Sequence, residues 1–97
     1  MEDFTKQAFE AFHIKARFYK NMISGEKVST VTVSATNKNG KDVTSSVLGD
    51  VTKGVQDAIV FVQNGEEAYS PYKITFLVET SLSHKWEFDV IMNIKEI

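Results

Sequence analysis

Cysteine is absent from the sequence. Disulfides, thiolate metal sites and a cysteine nucleophile are therefore excluded, and the chain is compatible with synthesis in a reducing cytosol. Lysine and arginine form no block and the net charge is −2, so no nucleic-acid partner is expected. No apolar run approaches the ~20 residues that span a bilayer, so no membrane partner is expected either. Met1-Glu2-Asp3 is acidic with no apolar stretch behind it, unlike a signal peptide. Gly49 and Gly54 do not open a helix with Lys and Ser/Thr, which removes a phosphate loop. Lys15, Arg17 and Tyr19 are too few to make a stacking platform for single-stranded nucleic acid. His13 and His84 lie far apart without a ligand-like spacing, and neither has a Ser or Asp arrangement that marks nucleophilic catalysis. Both read as surface residues. Glu66-Glu67, beside Asn64 and Gly65, lacks the ligand spacing of a calcium loop and reads as a solvated turn. A carboxylate pair for glycoside hydrolysis leaves no mark in spacing. No catalytic, metal or cofactor-binding residue is assigned, and no cofactor is expected.

What the chain does contain is alternation. Tyr72, Ile74, Phe76 and Val78 fall on every second residue. After Ser81-Leu82-Ser83-His84, so do Trp86, Phe88, Val90, Met92 and Ile94. Period two places each set on one face of a strand, and the pair predicts a long antiparallel hairpin that walls a β core. Phe12, Ile14, Ala16 and Phe18 alternate with His13, Lys15, Arg17 and Tyr19, predicting a strand with one wet face. Asn21 to Lys27, with Gly25, reads as a connection. Val31, Val33 and Ala35 alternate with threonine and serine in a β-branched run. Asn39-Gly40 predicts a tight type I′ turn, with Asp42 to Leu48 as a short return strand. Gly49 to Asp57 reads as loop, with Val51 and Val55 spaced for one helical turn. Ala58 to Val62 is apolar throughout, as in a strand covered on both faces. Glu66 to Pro71 is a turn region whose proline opens the next strand. Phe4, Ala8, Phe9 and Phe12 predict a short helix or an irregular arm over residues 1–11. The 97 residues thus predict one all-β domain, 1–97, an antiparallel sandwich of about six to seven strands.

Four residues in this frame stand out. Tyr72, at the start of the penultimate strand, suits a hydroxyl bonded to upstream backbone. Trp86 is in phase with Phe88 and Val90 and reads as core. Leu82 is apolar at the tip of a turn, where polar residues prevail, so it either folds back or meets a partner. Ile91, with Leu77, points away from the core set and suggests a second apolar face that packs Phe4 and Phe9 or a neighbouring subunit. Leu82 and Ile91 are the candidate partner contacts.

The pattern resembles a family of small immunoglobulin-like proteins encoded among the capsid and tail genes of bacteriophages. The likeness runs through Phe4-Thr5-Lys6-Gln7 and Glu10, Phe18, Gly25-Glu26-Lys27-Val28-Ser29, Val31-Thr32-Val33, Gly40-Lys41-Asp42-Val43-Thr44, Tyr72-Lys73-Ile74-Thr75 and Val78-Glu79-Thr80-Ser81. Ala68 and Pro71 stand where that family has a glycine-rich turn, and the N-terminal segment carries more phenylalanine. The resemblance implies an immunoglobulin-like β-sandwich and a non-catalytic structural or accessory role in a phage or prophage particle. It implies virion head or tail proteins as partners, self-association as an option, and residence in the virion or the bacterial cytoplasm. The alternative is a carbohydrate- or surface-binding adhesion module, which would show Tyr19, Tyr69 and Trp86 exposed and coplanar.

Overall fold

The structure is a computed structural model that describes residues 2–18 and 22–96. The strands are β1 (Glu2–Lys6), β2 (Phe12–Arg17), β3 (Val28–Thr36), β4 (Leu48–Lys53), β5 (Asp57–Val62), β6 (Tyr72–Thr80) and β7 (Lys85–Ile94). A one-turn helix, α1 (Thr44–Val47), precedes β4, and a 3-10 turn covers Glu67–Tyr69. One sheet has the order β1-β7-β6-β3 and the other β2-β5-β4. This is a seven-stranded immunoglobulin-like sandwich in which β1 lies parallel beside β7, while the other named pairings are antiparallel.

The expected parity holds. Tyr72, Ile74, Phe76 and Val78 are buried, while Lys73 and Leu77 between them are exposed. Across the hairpin Phe76 pairs with Phe88 and Val78 with Trp86. From the facing sheet come Ala58, Val60 and Val62, all without solvent contact. Phe18 closes the centre, edge-on to Phe76 at 6.2 Å and tilted over Phe88 at 4.8 Å. Each large side chain buried this way stabilises by about 1.5–3 kcal/mol.

Several local expectations are corrected. The segment before Phe12 is not a helix: Glu2–Lys6 is a strand, and Phe4 faces inward with its ring 5.9 Å from Phe12. Asp42 to Leu48 is not a return strand. Asp42 makes one bridge to Thr36, then its Oδ1 accepts the Thr44 N–H at 2.9 Å and turns the chain into α1. Leu48–Lys53 is a strand and not a loop, because it pairs with β5. Gly49 permits this: a Cβ there would stand 2.9 Å from Phe61 Cδ2. The Asn39-Gly40 turn is not type I′, since Gly40 has φ +80 and Asn39 is not in the left-handed region. Asn37 Oδ1 accepts the Asn39 and Lys41 N–H groups and shapes the turn instead. β5 is buried on one face only. Ile59 and Phe61 are half-buried on the other, with the His13 ring 5.1 Å from Phe61. The second apolar face does not form either. Leu77 lies opposite Glu87 and Ile91 opposite Lys73, and a Thr75–Asp89 hydrogen bond of 2.8 Å separates them. Phe9 covers neither, being 98% exposed.

β3 is the outer strand of its sheet, yet little of its edge is open. Val28 N–H bonds to Val55 O at 2.7 Å, and Lys53 Nζ reaches Ser29 O at 2.8 Å. At the far end Ala35 N–H bonds to Thr44 Oγ1 and Ala35 O accepts the Val43 N–H, each at 2.9 Å. The register is unbroken from Thr30 to Thr36. Val31 and Val33 therefore point their backbone groups the same way as Ala35, and between the two covered ends these are the outward groups.

Adjacent residues on opposite faces provide the test. Phe76→Ala is expected to cost about 3–5 kcal/mol and Leu77→Ala under about 1 kcal/mol, read from urea unfolding midpoints at constant m.

Candidate functional site: three joined loops at one end

The connections β2–β3, β4–β5 and β6–β7 emerge together and are knitted by backbone. Phe18 N–H bonds to Gln56 O at 2.8 Å, and Ser81 N–H to Lys27 O at 2.8 Å. Gln56 Nε2 donates to Glu26 O at 3.0 Å, and Lys27 N–H to Ser81 Oγ at 3.1 Å. At the centre is Glu26, whose side chain has no exposure. Its Oε1 accepts the Ile23 N–H at 3.1 Å. Its Oε2 accepts the Thr80 hydroxyl and lies 2.9 Å from His84 Nδ1. The Thr80 oxygen in turn accepts the Leu82 and His84 N–H groups at 3.3 Å. One carboxylate thus fixes two of the three loops directly.

The Thr80 hydroxyl does most to hold the Glu26 carboxyl below the usual carboxylate range. Burial pushes the other way, and the Ile23 N–H and the His84 ring add to the lowering. The arrangement differs from a nucleophile–base pair. The hydroxyl bonds to the carboxylate rather than to the imidazole, so no nucleophile is paired with a base. Among the described residues no group of three or more His, Asp or Glu is placed to hold a metal ion.

Around this buried centre the loops display aliphatic side chains. Ile23 is 61% exposed, Val55 63% and Leu82 49%. Lys27, Lys53 and Lys85 are exposed beside them. Of the acids near this end, Asp57 pairs with Lys15 at 3.2 Å and Glu79 lies across from Lys85, while Glu87 is exposed. Leu82 is exposed in the turn between β6 and β7. Ile91 is half-buried on the outer face of the four-stranded sheet, near its other end, so the two candidate contacts do not share a surface. Trp86 is half-buried on the core face, its ring 6.0 Å from His84 and its indole N–H buried with no partner among the described residues. The sequence marked Val55 only as spaced with Val51 for a helical turn and Glu26 only within the Gly25–Ser29 likeness, and gave Ile23 no signal beyond its loop.

The opposite end is held differently. Lys6, 2% exposed, points its ammonium into backbone. It bonds Gln7 O at 3.0 Å, Ala8 O at 3.3 Å, Glu10 O at 2.9 Å and the Asn64 carbonyl. Burial lowers its pKa, opposed by Glu10 and Glu96. Tyr72 makes the expected corner, its hydroxyl accepting the Glu66 N–H at 2.9 Å. Between these loops lies a groove of about 470 Å³, lined by Asn39, Lys41, Asn64, Glu66 and Tyr69 among others. Tyr69 is at this end and Trp86 at the other, and Tyr19 lies outside the described residues. The platform of Tyr19, Tyr69 and Trp86 that the adhesion alternative requires is not made by Tyr69 and Trp86.

No family model matches the chain, and no curated protein matches it. Among solved structures it is similar to an IG27 protein domain, with a TM-score of 0.59 at 12% identity, over 98% of this chain and 87% of that one. The likeness shows the fold, an immunoglobulin-like domain.

The lowered Glu26 pKa fixes the sign of an acid dependence. Its contribution is present above the unfolded value of about 4.3 and is lost as pH falls through the lower folded value. Urea midpoints followed from neutral pH into this window are expected to fall for the wild type and to fall less for Glu26→Gln.

Proposed function

We propose that this domain is a non-catalytic contact module of a bacteriophage or prophage particle, docking on virion head or tail proteins through the three-loop end. One observation carries the reading: Ile23, Val55 and Leu82 stand in solvent on three loops tied to Glu26, two by its buried carboxylate and one by its backbone carbonyl. Exposed apolar groups on a rigid frame are what an interface core uses, since little is lost in ordering them on binding. The family resemblance along the sequence supplies the particle. Glu26, His84 and Thr80 are occupied with each other, which supports binding over chemistry. The domain resides in the virion, or in the bacterial cytoplasm before assembly. Size-exclusion with light scattering, run with candidate head and tail proteins, is expected to show a complex that Leu82→Asp abolishes while the fold is kept. A chain that binds none of them overturns the proposal.

A second reading has one observation in its favour. The groove beside Tyr69 falls in the ~300–1,000 Å³ range of small-ligand sites and mixes an aromatic face with amide and charged groups. It supports a carbohydrate-binding module. Amide chemical shifts of Asn39, Asn64 and Tyr69 moving saturably with neutral disaccharides, and not in Tyr69→Ala, would favour it over the first.

A further inference from the structure

The residue most at odds with its surroundings is Phe9, 98% exposed on a turn that has little freedom. Gln7 N–H is bound by Glu10 Oε1 at 2.6 Å, Ala8 N–H by Glu96 Oε1 at 2.8 Å, and Glu10 N–H by Gln7 O at 3.1 Å. The carbonyls of Gln7, Ala8 and Glu10 all converge on the buried Lys6 ammonium. A lone apolar side chain in water is ordinary. A phenylalanine locked in that position by its neighbours' backbone is a preorganised anchor.

We infer that the Phe9 turn of one copy docks into the Ile23–Val55–Leu82 end of the next, so that the protein associates head to tail. This deepens the proposed function, resting on the same three-loop end, and names a second copy as an occupant of it. Two facts select that occupant. The surfaces lie at opposite ends: Lys6 pairs with Ile94 at the finish of β7, whereas the three loops surround its start. Their rims are also opposite in charge. Glu10 and Glu96 sit at the Phe9 turn against one exposed cation, Lys95, while Lys6 is buried. Lys27, Lys53 and Lys85 border the aliphatic end. Two different patches make a heterologous contact, which extends as a line when it does not close into a ring.

The contact is weak by its size. The molecule measures 44 × 23 × 21 Å, so an end-to-end contact buries on the order of 1,000 Å² in total, the lower limit for specific interfaces. Association therefore depends on concentration, or on neighbours already aligned on a scaffold.

Sedimentation of the purified chain from micromolar to millimolar concentration tests this. The expected weight-average mass climbs without a dimer plateau and drops in about 1 M salt, where charges are screened beyond ~3 Å. Phe9→Ser and Leu82→Asp are each expected to stay monomeric. Mixed, they are expected to form a 1:1 pair and stop, because each keeps one intact end. A strict monomer, a wild-type plateau at dimer, or variants that do not complement overturns the inference. Particle-protein binding that survives Phe9→Ser but not Leu82→Asp leaves the proposed function standing without self-association.

Discussion

The contact of β6 with β5 across the sandwich is the constraint from which the rest follows. Even-numbered side chains of β6 meet the buried residues of β5, and Phe18 wedges between Phe76 and Phe88. A slip of one residue in β6 would exchange Phe76 for Leu77 and turn the wall inside out. Because parity is fixed, so is the height at which each strand ends. That height brings Thr80 level with Glu26, and Ile94 level with Lys6.

Each end then solves the same problem with a charge of opposite sign. Loops leave backbone groups that strands cannot pair. At one end the unpaired groups are N–H and hydroxyl donors, and the Glu26 carboxylate accepts from them. At the other they are carbonyls, and the Lys6 ammonium donates to them. Burying a charge is costly unless it is fully bonded, and both are. The result is two sets of loops that are short of freedom and free to carry apolar groups outward.

Reading the sequence recovered what period two can encode. The Tyr72–Ile94 hairpin was legible because nine apolar residues keep phase across a short polar break. The Tyr72 hydroxyl bond was legible from its place at the head of a strand. β1 was not, since Phe4, Ala8 and Phe12 also fit a helical spacing, and Lys6 puts a charge at an inward position. β4 was not, because Gly49, Asp50, Thr52 and Lys53 show no alternation and become a strand only by pairing with β5. Leu82 stood out as an apolar residue in a turn. Glu26 did not, because nothing in Gly25-Glu26-Lys27 distinguishes a buried carboxylate from a solvated one.

The outer edge of β3 has a consequence for how such a domain avoids pairing edge to edge with its neighbours. Val28 to Thr36 is nine residues without a charge or a proline, a composition that templates runaway stacking when laid bare. With Val55 and Lys53 over one end and Val43 and Thr44 over the other, the open template shrinks to two valines. Two copies meeting along that edge would then have no long ladder to share there, and each would keep its own shape.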